Sequence, residues 1–329
     1  MSTPWCKIPG LMRWWWSGTE DKKYRTAASP VVFTLLAVLL AGPLLTGYPA
    51  VWISTYFYNY YSVIYPKDIP QDKEKVGMAI TNTMIKIGDG MLNNWQDNDL
   101  PISSSKTPYI GVDNPQNFQI GELMMYRRVL EEMREHLSRR TTNDYIDTNI
   151  TDAYNQFAYT SNKWWLRSTE SMYKDGVDDL KIFLKKVENK DAGFYATTYN
   201  LDKLLEKVAS GLAGTSRRLE DARKTKVPWI IDFKVDDNYY EAQGNLYVTL
   251  QILHAARIDF QNVLASKQAS LQMDDVIQSI ERSDSYLVDP ILVLNGQPGS
   301  FIPFHSGELA SLMQTVSRNI DKLRSQITS

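Results

Sequence analysis

The chain has one cysteine, three histidines and no surplus of positive charge. A single thiol, Cys6, cannot close a disulfide within the chain or build a thiolate metal cluster. His136, His254 and His305 stand far apart, so the His-Glu-x-x-His pattern of zinc proteases is missing. With 36 Lys and Arg against 38 Asp and Glu, the protein lacks the basic surface that neutralises phosphates, and nucleic acid is excluded as a partner. There is no Gly-x-Ser-x-Gly elbow, and Gly88-Asp89-Gly90 is too short for a phosphate loop. Serine-hydrolase and nucleotide chemistry therefore have no motif, and no cofactor or metal site is expected. Internal repeats and low-complexity tracts are also missing, and with 43% hydrophobic residues the bulk of the chain should fold.

The longest absence is of charge. From Thr26 to Pro66 there is no Asp, Glu, Lys or Arg. Its apolar heart begins Val31-Val32-Phe33 and runs past Leu39 and Pro43 to Ile53. As a helix, Val31 to Ile53 would reach roughly 34 Å, enough for a hydrocarbon core of about 30 Å. Pro43 and Pro49 would kink it, which membrane helices tolerate. Before it stand five basic residues, Arg25 the last of them, against two acidic ones; around its far end and just beyond come Trp52, Tyr56, Phe57, Tyr58, Tyr60 and Tyr61. Basic residues on one side and an aromatic belt on the other predict a single span with a cytoplasmic N-terminus. A cleaved signal has an apolar stretch of only about 7–15 residues followed by a small-residue site. This run is longer and has no Ala-x-Ala after it. Cys6 precedes the run, so a lipid-anchored reading fails. The expected organisation is a cytoplasmic segment over 1–28, an anchor over 29–55 and an exported body over 56–329, as one domain or two subdomains. Residues 67–329 hold 31 basic and 36 acidic groups, so the body is mildly acidic, and it has no thiol.

The body reads as helices. Apolar residues recur at three-four spacing over about 118–139, 146–157, 169–189, 200–220 and 236–267, with a shorter run around Val276, Ile277 and Ile280. Such stripes must bury against one another, which predicts a mainly α, bundle-like body. The last helix, about 306–326, carries Leu309, Val316 and Leu323 interleaved with Met313, Ile320 and Ile327. That is a coiled-coil-like seam, open either to this chain's own core or to a partner or second copy.

Two stretches break the pattern. Residues 97–117, ending in Asp113-Asn114-Pro115-Gln116-Asn117, are long for a connection, and such connections are often functional. In 287–304, Asn295-Gly296 lies between two apolar runs and predicts a small irregular hairpin. Asp113, Asn114, Asn295, Gly296, Leu309, Val316 and Leu323 are the candidate partner contacts.

Two local patterns invite chemistry. Glu132 and His136 fall one helical turn apart among several arginines, which reads as a solvated salt-bridge face, because two ligands are too few for zinc. Glu170-Ser171-Met172-Tyr173 is similar to the start of a lytic transglycosylase site, where a buried Glu protonates a glycosidic oxygen. The polar approach Leu166-Arg167-Ser168-Thr169 would not desolvate that Glu. It fits a helix start instead, with Ser168 or Thr169 as cap and Glu170 in the first turn.

Asp113 through Gly121, Trp165 through Glu170 to Tyr173, Phe194-Tyr195, Asn200-Leu201, Asp236, Tyr239, Gly244, Asp259-Phe260 and Val293 through Gly296 together carry a resemblance. The chain resembles an uncharacterised family of proteobacterial single-pass inner-membrane proteins, a domain of unknown function. That resemblance implies the same topology and a helical exported domain, and no activity. The expected function is that of a non-catalytic envelope scaffold in the bacterial inner membrane. Its expected partners are the lipid bilayer and another envelope protein. A glycan-cleaving enzyme using Glu170 and a homo-oligomer zipped by the last helix are the alternatives.

Overall fold

The computed structural model describes residues 76–94, 114–139, 144–163, 167–224, 233–283, 286–287, 293 and 305–329. The chain divides into two compact units, 1–56 and 57–329, and every described residue belongs to the second. The expected anchor, with Arg25, Val31, Leu39, Pro43, Trp52 and Tyr56, lies outside the described residues. So does the expected hairpin, apart from Leu287, in a turn, and Val293, which is buried. Among the described residues there is no strand, and no helix is long and apolar enough to cross a membrane.

The helices, in chain order, are α1 Met78–Asn94, α2 Asn114–Glu132, α3 Thr148–Phe157, α4 Thr169–Asn189, α5 Thr198–Lys224, α6 Phe233–Asp259, α7 Gln261–Ser266, α8 Ser270–Glu281 and α9 His305–Thr328. The body is mainly helical, as its spacing predicts. Local chemistry sets several ends. Ser168 caps α4 by accepting from the Ser171 amide, with Glu170 in the first turn where a negative charge is favoured. Asp147 caps α3 through the Asn149 amide at 2.8 Å. The α2 start corrects the expected connection over 97–117, because Asn114 to Asn117 already form its first turn. Pro115 suits that place, where its missing N–H costs nothing.

Helix α6 is the hub. From Ala242 to Leu253 every residue is buried, and it packs on α1, α2, α5, α8 and α9. Along α2 and α6 the contacts rise together, Asn117 bonding Asp237 at 2.9 Å and Gly121 lying on the Glu241 carbonyl, so these two helices run parallel. Helices α5 and α9 run antiparallel. Asp202 pairs with Arg324 at 2.8 Å, the Ala209 carbonyl accepts from Ser317 Oγ at 3.1 Å, and Ser216 Oγ donates to the Ala310 carbonyl at 3.0 Å.

That pairing settles where the heptad seam goes. Leu309, Met313, Val316, Ile320, Leu323 and Ile327 are all fully buried, and α9 packs chiefly on α5. Leu309, Val316 and Leu323 are therefore core residues of this chain, not the free partner contacts proposed from their spacing. Truncating Leu323 to Ala should cost about 2–5 kcal/mol of folding stability through the lost transfer energy and the cavity left behind. Urea unfolding of the full chain in detergent checks this, and the oligomeric mass should not move.

Candidate functional site

Helix α2 does not end as a plain α-helix. Met133–Leu137 form one π-turn, with the Ser138 amide bonded five residues back to the Met133 carbonyl at 2.9 Å. A π-turn displaces the residues that follow it and is often found at functional sites. The last carbonyls of the turn are met from the approach to α5. The Tyr195 amide donates to Leu137 O at 2.8 Å, and Asn200 Nδ2 bridges His136 O at 3.1 Å and Tyr195 O at 2.7 Å.

Around this turn several charged groups meet. His136 Nδ1 lies 2.9 Å from Glu132 Oε2. Lys207, from α5, stands 3.7 Å from Glu132 Oε1 and 2.8 Å from Glu131 Oε2. The Glu132 side chain is only 7% exposed, so the expected solvated face is corrected: the pair exists, but its carboxylate is inside. Burial pushes the Glu132 carboxyl up, although His136 and Lys207 both pull it down. The His136 ring meets the edge of Tyr199 at 5.7 Å, and Tyr199 is half exposed. Arg134 lies over the Tyr154 ring at 3.9 Å and pairs with Glu135, while Arg139 reaches Glu135 at 3.5 Å with its own Nε buried and unpartnered.

Chemically this is an imidazole oriented by a buried carboxylate, beside an exposed tyrosine. When His136 is neutral and donates from Nδ1, its Nε2 is an acceptor. The dyad offers a metal two ligands at most, and among the described residues no group of three His, Cys, Asp or Glu gathers as a metal site. The sequence showed the i,i+4 pairing. It did not show the π-turn or Lys207, which is seventy-one positions on from His136 in the chain.

The other sequence-derived sites fall elsewhere. Asn114 is 7% exposed at the start of α2, so it offers little surface to a partner. Asp113, Asn295 and Gly296 lie outside the described residues. Glu170 sits half-exposed in the first turn of α4 beside the Ser168 cap, as the helix-start reading has it.

Compared with known proteins, the chain matches one family model over residues 63–227 and 220–329, described as an uncharacterised protein conserved in bacteria, DUF2333. No curated protein and no solved structure matches it.

Proposed function

Since the chain belongs to the DUF2333 family of uncharacterised bacterial proteins, we propose that it is a membrane-tethered helical module of the cell envelope, working by holding a partner protein. The observation that carries this reading is the charge-free run from Thr26 to Pro66, basic before it and aromatic at its far end. Such a run is stable across a bilayer, and its flanks set the N-terminus inside. The tether then leaves the helical body outside the cytosol. What supports binding over catalysis is that none of the sequence motifs of hydrolases, nucleotide enzymes or zinc proteases is present. The surface best suited to a partner is the π-turn face, where half-exposed Tyr199 stands beside His136 with Lys203 over its ring at 5.7 Å. An exposed aromatic ringed by charged groups has the composition of an interface anchor.

The test joins location to contact. A reporter that fluoresces only in the cytosol is fused after Ser329, and a photo-crosslinking residue replaces Tyr199 in the full chain. Dark cells and a discrete crosslinked protein adduct are expected. Bright cells would overturn the topology. Crosslinks to lipid alone would overturn the partner.

A further inference from the structure

One ionisable side chain has no part in anything described so far. Glu122, on α2, is 4% exposed. It lies where α2 and α6 are closest. A Cβ on Gly244 would meet the Glu122 amide nitrogen at 2.9 Å and the Phe118 carbonyl oxygen at 1.9 Å, and one on Gly121 would meet the Glu241 carbonyl oxygen at 1.9 Å. The two backbones are in direct contact there, so the helices cannot slide together further or admit a bulky counter-ion.

No cation compensates the carboxyl. On α6, Asp237 is bonded by Asn117 and Glu241 is paired with Arg218 of α5, while Tyr239 is bonded by Gln243 and Tyr247 lies against Phe118. On α5, Lys207 goes to Glu131 and Glu132. On α1, Asp89 is held by Lys181 and Lys86 is exposed. Within α2, Arg127 is committed to the Phe157 and Tyr159 carbonyls and to the Tyr173 hydroxyl, and Tyr126 donates to Met84 O. On α3, Asp152 carries the same sign as Glu122, so it offers no compensation. Among the described residues, Glu122 itself has no ion pair or hydrogen-bond partner.

We propose that Glu122 is a proton-operated latch on the α2–α6 crossing. With a neutral carboxyl the crossing stays closed. With an ionised one, an uncompensated charge is buried on α2 beside the crossing, and the crossing opens to let water reach it. Desolvation alone drives the Glu122 carboxyl well above its ordinary value, in agreement with that geometry. The sign follows from linkage. The folded carboxyl is raised above the unfolded one, so the stability is fully present below the unfolded carboxyl's range and is lost as pH rises through the folded value. The chain therefore reads the pH of its own compartment by the closure of this crossing, and acid closes it.

The experiment uses the full chain in detergent. The infrared band of a protonated carboxyl is followed from acid to alkaline pH in the unsubstituted protein and in Glu122→Gln. Backbone hydrogen exchange over 118–125 and 241–248 is followed in parallel. At mildly acid pH, above the range in which ordinary carboxyls ionise, the unsubstituted protein is expected to show a protonated-acid band that Glu122→Gln lacks, beside any band that Glu132, also raised by burial, gives in both proteins. As pH rises, exchange in the crossing should accelerate over that of Glu122→Gln by about tenfold per pH unit until the carboxyl has ionised. Absence of the band at mildly acid pH, or equal exchange in the two proteins at every pH, would overturn the proposal. Should Glu122→Gln fail to fold, the band and the exchange of the unsubstituted chain still decide. Both must change together with pH, and a band that titrates while the crossing stays protected rejects the latch.

Discussion

Gly244→Ala should cost about 3 kcal/mol or more of stability, near the top of what one added methyl can do. The Cβ would lie 1.9 Å from the Phe118 carbonyl oxygen, and backbone cannot swing aside as a side chain can. The helix propensity of Ala over Gly returns only about 1 kcal/mol, so the clash decides the sign. Gly121→Ala meets the Glu241 carbonyl at the same distance and should behave alike. The controls are Gly90→Ala and Gly214→Ala, two helical glycines with nothing within 4 Å of the added carbon. These should gain about 0.5–1 kcal/mol through lower unfolded-state entropy. Thermal melts of the four variants check the contrast. If Gly244→Ala melts with the controls, the close α2–α6 crossing is wrong.

Asp259→Ala is the second large effect. The carboxylate of Asp259, at the end of α6, accepts from the amides of Gly77 at 2.9 Å, Ala79 at 3.3 Å and Ile80 at 2.8 Å. These are the orphan donors at the start of α1, and α1 has its negative cap supplied by a residue about 180 positions away. Asp259 is 1% exposed, so no water replaces the lost acceptor without opening the structure. Removing it should cost about 3 kcal/mol, since a buried donor left unsatisfied carries its whole desolvation penalty. Asp259→Asn keeps one neutral acceptor and should recover part of that. Hydrogen exchange over 79–84 gives the readout: exchange should rise there well before it rises in α5 or α9. Uniform loosening would mean that Asp259 does not act through α1.

Much of the helical plan is legible in the apolar spacing. The run over 169–189 matches α4 residue for residue, because its cap, its stripe and its end are all local. The long run over 236–267 is cut at Phe260 into α6 and α7, which no local residue announces. The break falls directly after the residue that caps α1. Helix α1 carries the same local signal, although the sequence expectation has no helix there: Ile80, Met84, Ile87 and Met91 keep a four-three-four spacing, and all are buried. The Glu132–His136 pairing was also visible, since i,i+4 neighbours meet on any helix. Its burial was not visible, because that depends on α5.

On its own, the order of residues determined the helical class of the body, the approximate place of most helices and the repeating apolar seam of α9. Each of these depends on neighbours a few positions apart. It left open what each stripe would bury against. The α9 seam suited a second molecule as well as this one, and it took α5 because a partner on the same chain is present at high effective concentration. Glu122, Gly244 and Asp259 likewise owe their character to residues more than a hundred positions away, which only the folded chain brings together.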